Sequence, residues 1–282
     1  MNQNQTILIV GLGLIGGSYA KGLKEKGYAV TAIDVNQQSI DYAVENHIID
    51  SGATNSIDFI RNADVIICAL YPTTMIHWMK ENQQFFKSGI FITDVSGVKC
   101  NVVDVIQSNL RNDVEFIASH PMAGKEVSGV QFSDSNIFKQ ANFIITPTEK
   151  NTERGIAFAR ELAETIQFNR IVTLSPQKHD EMIGYLSQLT HAIAVSLMNA
   201  NDNPHLKEYT GDSFRDLTRI AKINEIMWSE LFFLNKDILI SEIDSFQAEL
   251  SNLKYKLQNN DEKGLKQLFI QSTERRKQFD KE

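Results

Sequence analysis

Three glycines, Gly11, Gly13 and Gly16, follow directly on the β-branched and apolar run 6–10 and lead into a segment of helical periodicity that stops at Gly27. That order, strand then G-x-G-x-x-G then helix, restricts the fold of this chain more than any other feature. Gly11 permits a tight turn, Gly13 lets a bound group approach the backbone, and Gly16 lets helix and strand pack closely. Leu14 and Ile15 open the helix, where unpaired N–H groups and the positive end of the helix dipole suit phosphate. A second apolar run, 29–35, carries Asp34, 23 positions after Gly11. A carboxylate there can accept both ribose hydroxyls and repels a 2′-phosphate, and no arginine follows nearby to hold one. A glycine turn without a nucleotide has the same spacing. The flanking strand, helix and acid favour a dinucleotide site, with NAD preferred over NADP as cofactor.

Further apolar runs at 65–70, 90–93, 114–118 and 142–146 are mostly separated by helix-length segments, and the alternation ends near 171–174. Such alternation predicts an α/β fold: a Rossmann-like, doubly wound, mainly parallel sheet. Ser175–Pro176 is a helix start, with a serine cap and proline at the first helical position. Beyond it the pattern is helical at 177–200, at 212–222 and in one long segment from about 224 to 258. In that segment Leu239, Ile243, Phe246, Leu250, Leu253 and Leu257 recur at 4-3-4-3-4 spacing. Such a stripe folds back on its own domain or pairs with a second subunit. The expected organisation is a dinucleotide-binding domain over 1–174 and an all-helical dimerisation domain over 175–282. The charged end, 274–282, is expected to be a solvated helix terminus.

Bulk chemistry narrows the partners. Acidic residues (35) outnumber basic ones (28), a net charge of −7 that recommends no nucleic-acid partner. No stretch approaches the roughly 20 apolar residues needed to span a bilayer. The N-terminus lacks a charged-then-apolar signal pattern, so a cytoplasmic location is expected. Cys68 and Cys100 are the only cysteines, which offers neither a disulfide framework nor metal-ligand spacing.

His120 lies in ASHPMAGKE (118–126), just after an apolar run, and so is expected on rigid backbone at the rim of the sheet. A lone histidine there either bonds a nearby carbonyl or acts as a base near neutral pH. Taken with the cofactor loop, SHPMAGKE (119–126) and SFRDLTRIAKINEIMW (213–228) resemble the prephenate/arogenate dehydrogenase family, across both domains and in the right order. The resemblance implies NAD-dependent oxidative decarboxylation of prephenate to 4-hydroxyphenylpyruvate in tyrosine biosynthesis, by a homodimer. It makes His120 the base that takes the ring hydroxyl proton, and Arg219 the clamp for a substrate carboxylate. Ser187 and His191, within YLSQLTHAIA (185–194), would line the pocket, and Glu126 would gate it. Asp216 would orient Arg219 or another polar group, and Trp228 would lie near the subunit interface.

Two departures stand out. Family members commonly place a serine three residues after the strand-ending aspartate, where this chain has Gly97. Its serine, Ser96, comes one position early but remains a candidate to reach the histidine or the substrate hydroxyl. Asp212 and Ser213 occupy positions where some members have glycines. Three alternatives stay open: an arogenate dehydrogenase, a β-hydroxyacid dehydrogenase relying on Lys222, and an NAD-sensing protein without chemistry.

Overall fold

A computed structural model describes residues 2–279; the last three residues of the expected charged terminus, 280–282, lie outside it. Strands β1 (Thr6–Val10), β2 (Ala29–Ile33), β3 (Ser51–Ala53), β4 (Val65–Cys68), β5 (Phe91–Asp94) and β6 (Glu115–Phe116) form one parallel sheet in the order β3-β2-β1-β4-β5-β6. Helices α1 (Leu14–Glu25), α2 (Gln37–Glu45), α3 (Ile57–Asn62), α4 (Pro72–Asn82) and α5 (Cys100–Asn109) connect them. The strand order reverses between β1 and β4, the place where open α/β sheets bind ligands beyond their carboxyl ends.

Why the sheet is buried on both faces follows from strand alternation. Ile7 and Ile9 of β1 and Ile67 of β4 join Tyr19 and Leu23 of α1 in one core. Leu8 and Val10 join Ile66, Ile92, Met75 and Met79 in the other. Successive side chains point to opposite faces, so near-continuous apolar strands supply two cores at once.

The run expected as one strand at 114–118 is two. The Ile117 N–H still reaches Ile92 O. At Ser119 the Asp94 side chain takes over, with its Oδ1 accepting the Ser119 N–H and its main-chain oxygen accepting the Ser119 hydroxyl. The chain therefore leaves the parallel ladder and forms β7 (Ala118–Pro121). With β8 (Asn142–Thr146) and β9 (Arg170–Thr173) it makes a second, three-stranded sheet, in which β7 runs antiparallel to β8 and His120 pairs with Ile144. His120 thus sits in a strand of this small sheet rather than at the end of a strand of the main one. Helix α6 (Glu153–Ile166) links β8 and β9.

The helical part begins with α7 (Pro176–Ile183), capped as expected by the Ser175 side chain, which accepts the Lys178 N–H. A π-helical turn, Gly184–Leu189, joins it to α8 (Thr190–Asn199). Then come α9 (Leu206–Tyr209), α10 (Asp212–Thr218) and α11 (Glu225–Leu234). The long helix expected to 258 breaks at Asn235. That buried side chain donates to Asp180 O at 3.0 Å and to Gln188 Oε1 at 2.8 Å. These tertiary bonds outweigh the helical pattern on either side.

By packing, the chain divides into one unit ending at Asn235 and a second beginning at Lys236. The second comprises α12 (Lys236–Gln258) and α13 (Glu262–Lys277), the latter capped by Asp261, which accepts the Gly264 N–H.

Candidate active site

At the switch point, the glycine loop has the shape that its spacing implies. Gly11 has φ of +98°, and a Cβ there would lie 2.5 Å from Ala69 O, so only glycine fits. At Gly16 a Cβ would meet the Gly11 carbonyl oxygen. Around Gly13 a Cβ would find nothing within 4 Å, which leaves open space at the N-terminus of α1. Asp34 stands just past β2; its Oδ2 accepts the Leu12 N–H at 2.5 Å and its Oδ1 the Asn36 N–H at 2.8 Å. The carboxylate thus fixes the loop while keeping lone pairs for hydroxyl donors. These residues fit a dinucleotide: a backbone cradle at a helix start, open beside the one glycine that packing does not require.

A buried polar cluster lies at the ends of β5 and β7. Lys99 and Asp94 form an ion pair at 2.7 Å, and both side chains are fully buried. The ammonium also donates to Ser119 O at 2.6 Å and Ser96 Oγ at 3.2 Å. Ser96 in turn donates to Asp94 Oδ2 and Val98 O. Its hydroxyl is therefore engaged in holding this turn. Burial pulls the Lys99 ammonium down from its ordinary value, against the opposing charge of Asp94.

His120 stands beside this cluster. Its Nδ1 lies 2.8 Å from His179 Nε2, and His179 Nδ1 lies 2.7 Å from Asp180 Oδ1. Asp180 also accepts the N–H groups of Lys99 and Cys100, each at 2.8 Å. Burial, then the neighbouring His179 and Lys99, hold the His120 imidazole well below its usual value, so it is neutral at pH 7. His179 is lowered as well, chiefly by burial and against the pull of Asp180. Burial would raise Asp180, but the bonds from His179 and the Cys100 N–H outweigh it and keep the carboxylate ionised. The Cys100 thiol is pushed up to about 12, first by burial and then by Asp180, so it is no nucleophile. A Cβ at Gly97 would lie 3.9 Å from His120 Cε1 and 3.5 Å from a Leu231 methyl.

A third group of residues gathers around α11. Arg219, in a short 3₁₀ turn after α10, forms an ion pair with Glu126. His191 donates or accepts through Nδ1 at 2.8 Å from Ser187 O; a carbonyl only accepts, so Nδ1 carries the proton. The His191 ring stacks on Trp228, with centroids 3.7 Å apart. Burial lowers His191, with Glu126 pulling it up and Arg219 down, which places all three within one electrostatic neighbourhood. Trp228 and Leu231, three apart on α11, join this group to the His120 group, because Leu231 packs beside Gly97. Asp216 is exposed on α10, and the ion pair of Arg219 runs to Glu126. Lys222 is exposed.

Sequence reasoning singled out His120 but passed over His179 and Asp180. The one signal available is a His-Asp doublet that shares a helical face with Ile183, all three buried. Periodicity marks that face as buried, and a buried carboxylate needs a donor.

The chain matches two family models, prephenate dehydrogenase nucleotide-binding domain over residues 19–173 and prephenate dehydrogenase dimerization domain over residues 175–271. It is 30% identical to a prephenate dehydrogenase of Bacillus subtilis, covering 95% of this chain and 75% of that one. To a cyclohexadienyl dehydrogenase of Zymomonas mobilis it is 28% identical, with 96% and 94% covered. A crystal structure of prephenate dehydrogenase from Aquifex aeolicus, in complex with hydroxyphenyl propionate and NAD+, superposes with a TM-score of 0.89 at 31% identity and 98% coverage of both chains. The glycine cradle, the neutral histidine beside a buried ion pair, and these matches over nearly the whole length lead to one conclusion: the chain belongs to the prephenate dehydrogenase family.

Proposed function

We propose that the protein oxidatively decarboxylates prephenate to 4-hydroxyphenylpyruvate with NAD, using His120 as the base. The observation that carries this reading is a neutral, partly buried imidazole whose Nδ1 is tied to His179, in a chain that also builds a dinucleotide cradle. Bound NAD supplies a hydride acceptor. Gly11, Gly13, Leu14, Ile15 and Gly16 would hold its phosphates and Asp34 its ribose hydroxyls.

The ring carbon of prephenate that gives up hydride bears a hydroxyl, and it becomes a carbonyl only if the hydroxyl proton leaves. Neutral His120 accepts that proton. Loss of the ring carboxylate as CO2 then restores aromaticity, and the proton returns to the phenolic oxygen, so no net proton is consumed. Arg219, with 62% of its side chain exposed and paired to Glu126, would exchange that partner for a substrate carboxylate. Glu126 then acts as the group that closes or opens the guanidinium to substrate. His191, flat on Trp228, keeps its Nε2 for a polar group of the substrate, and Ser187 fixes the ring through its carbonyl. Asp216 would help to orient Arg219. Ser96 would serve by holding the turn that carries Gly97 and Lys99.

Residues 1–174 would form the cofactor half and 175–282 the substrate and dimerisation half. Among the described residues no helix is long and apolar enough to cross a membrane. Phe246, Leu250 and Leu257 stay exposed on the stripe of α12, which supports a homodimer paired through the C-terminal helices. Two free cysteines suit a cytoplasmic location.

The test is His120→Asn, which keeps hydrogen bonding but cannot take the proton. NADH formation at 340 nm from prephenate, with release of CO2, should fall ~10² to 10⁴-fold while NAD affinity holds. A variant near the wild-type rate would remove His120 from the mechanism. Parallel assays with arogenate decide the substrate: faster turnover of arogenate would replace prephenate in this reading.

A further inference from the structure

The hydrogen bonds behind His120 have a forced direction. Asp180 is ionised and can only accept, so the bond at 2.7 Å requires the proton on His179 Nδ1. Neutral His179 then has a lone pair on Nε2, and the contact at 2.8 Å requires a proton on His120 Nδ1. The remaining nitrogen of His120, Nε2, is left bare. Among the described residues no side chain is bonded to it.

We propose that His179 and Asp180 are positioning residues that set the tautomer of His120, so that Nε2 alone faces the substrate as proton acceptor. The inference rests on the reading of His120 as the base. It deepens that reading by naming the accepting atom and the pair that selects it.

Three features make the pair specific to this task. Asp180 is itself fixed by two backbone N–H groups at the start of α5, so the carboxylate cannot rotate away from His179. Asn235 donates to the Asp180 carbonyl and thereby ties α7 to the end of α11. Position 97 offers no hydroxyl on the exposed side of the ring, since it is glycine, and the Ser96 hydroxyl is bonded to Asp94 and Val98. Orientation of His120 therefore comes from behind the ring.

The same chain of bonds gives a pH response. The charged and titratable groups around His120 are His179 and Asp180 from α7, and Lys99 with its partner Asp94 from the β5–α5 turn; Leu231 of α11 is apolar. Protonating His179 would make both its nitrogens donors. His120 Nδ1 would then have to accept, Nε2 would carry the proton, and the base would be lost. The acid limb of kcat/KM therefore belongs to the two histidines jointly.

Two experiments on the full chain test this. Nitrogen-15 spectra of the histidine rings at pH 7, with the His120 signals identified by their loss in His120→Asn, should show His120 protonated at Nδ1. Protonation at Nε2 would overturn the proposal even where His120→Asn is inactive and the base reading stands. If His120→Asn keeps its rate, the base reading fails, and this inference with it. In kinetics, His179→Phe should lower kcat ~10²-fold, with the KM for prephenate and the Kd for NAD within about threefold, because the acceptor for Nδ1–H is gone. His179→Gln restores an acceptor and should recover most of kcat with an altered acid limb. Equal losses in the two variants, or a parallel loss of NAD binding, would mean a merely structural role and overturn the assignment.

Discussion

Lys99→Met removes one partner of the ion pair on which the turn of the candidate active site is built, and its cost can be worked out. Both side chains are fully buried, so solvent cannot take over from the missing ammonium. Asp94 keeps three donors, the N–H and hydroxyl of Ser96 and the N–H of Ser119. Ser119 O and Ser96 Oγ lose theirs. Breaking a buried pair from one side costs ~3–5 kcal/mol, and the retained donors put this site at about 3. At roughly 2–4 °C per kcal/mol for a chain of this size, Tm should fall by about 6–12 °C in calorimetry. The double variant Asp94→Asn with Lys99→Met removes the unpaired carboxylate that the single variant leaves at position 94 and should regain a good part of that loss. A single variant within ~1 kcal/mol of wild type, or a double variant worse than the single, would refute the buried pair as the organiser of this turn.

Other outcomes follow from the same geometry. Gly13→Ala should leave Tm within a degree or two, because open space surrounds the position, yet weaken NAD roughly tenfold or more, about 1.4 kcal/mol. Gly16→Ala, whose Cβ would run into the Gly11 carbonyl, should lose stability and cofactor together; isothermal titration and melting separate the two. Arg219→Ala should hardly move Tm, since an exposed pair is worth ~0–1 kcal/mol. It should raise the KM for prephenate ~10 to 100-fold, the loss of a charge-assisted bond, without changing the Kd for NAD. Equal damage to both constants would remove Arg219 from the substrate site. Stability should also depend on pH through His120 and His179. Both are lowered, so the native state keeps them neutral while the unfolded chain takes up protons near pH 6.5. Their contribution is complete above that pH and is lost as the pH falls toward the lowered native values, by up to ~1.4 kcal/mol per pH unit for each group. His120→Asn should flatten the slope below pH 6.5, and an unchanged slope in denaturant titrations would count against a neutral buried His120.

How much of this was legible in the sequence depended on the range of the interactions involved. Local rules carried the glycine loop, the cap at Ser175 and the strands β1, β2, β4, β5 and β8, because each follows from residues within a few positions of one another. They failed where a distant partner intervened. Strand β3 is three residues containing a glycine, and its pairing with β2 creates it rather than any propensity of its own. The helix expected through 224–258 stops where Asn235 reaches Asp180 and Gln188, 55 and 47 residues away. The run at 114–118 divides because Asp94, 25 residues earlier, bonds Ser119.

The residues of the candidate active site divide the same way. His120 was visible because a histidine after an apolar run with a proline behind it is a local pattern. What orients it was not, since His179 lies 59 residues on and Asp180 reaches back across 81 and 80 residues to Lys99 and Cys100. Glu126 and Arg219 were each named, but their pairing spans 93 residues and crosses from the β7 loop to the turn after α10. A buried carboxylate is the clue that sequence reasoning can carry forward. Asp180 falls on the inner face of an amphipathic helix, where an ionised group persists only if donors meet it, and its neighbour in sequence is a histidine. A His-Asp doublet on a buried helical face therefore points to a third, distant group that the histidine's other nitrogen must satisfy. In this chain that group is the one histidine already marked for chemistry.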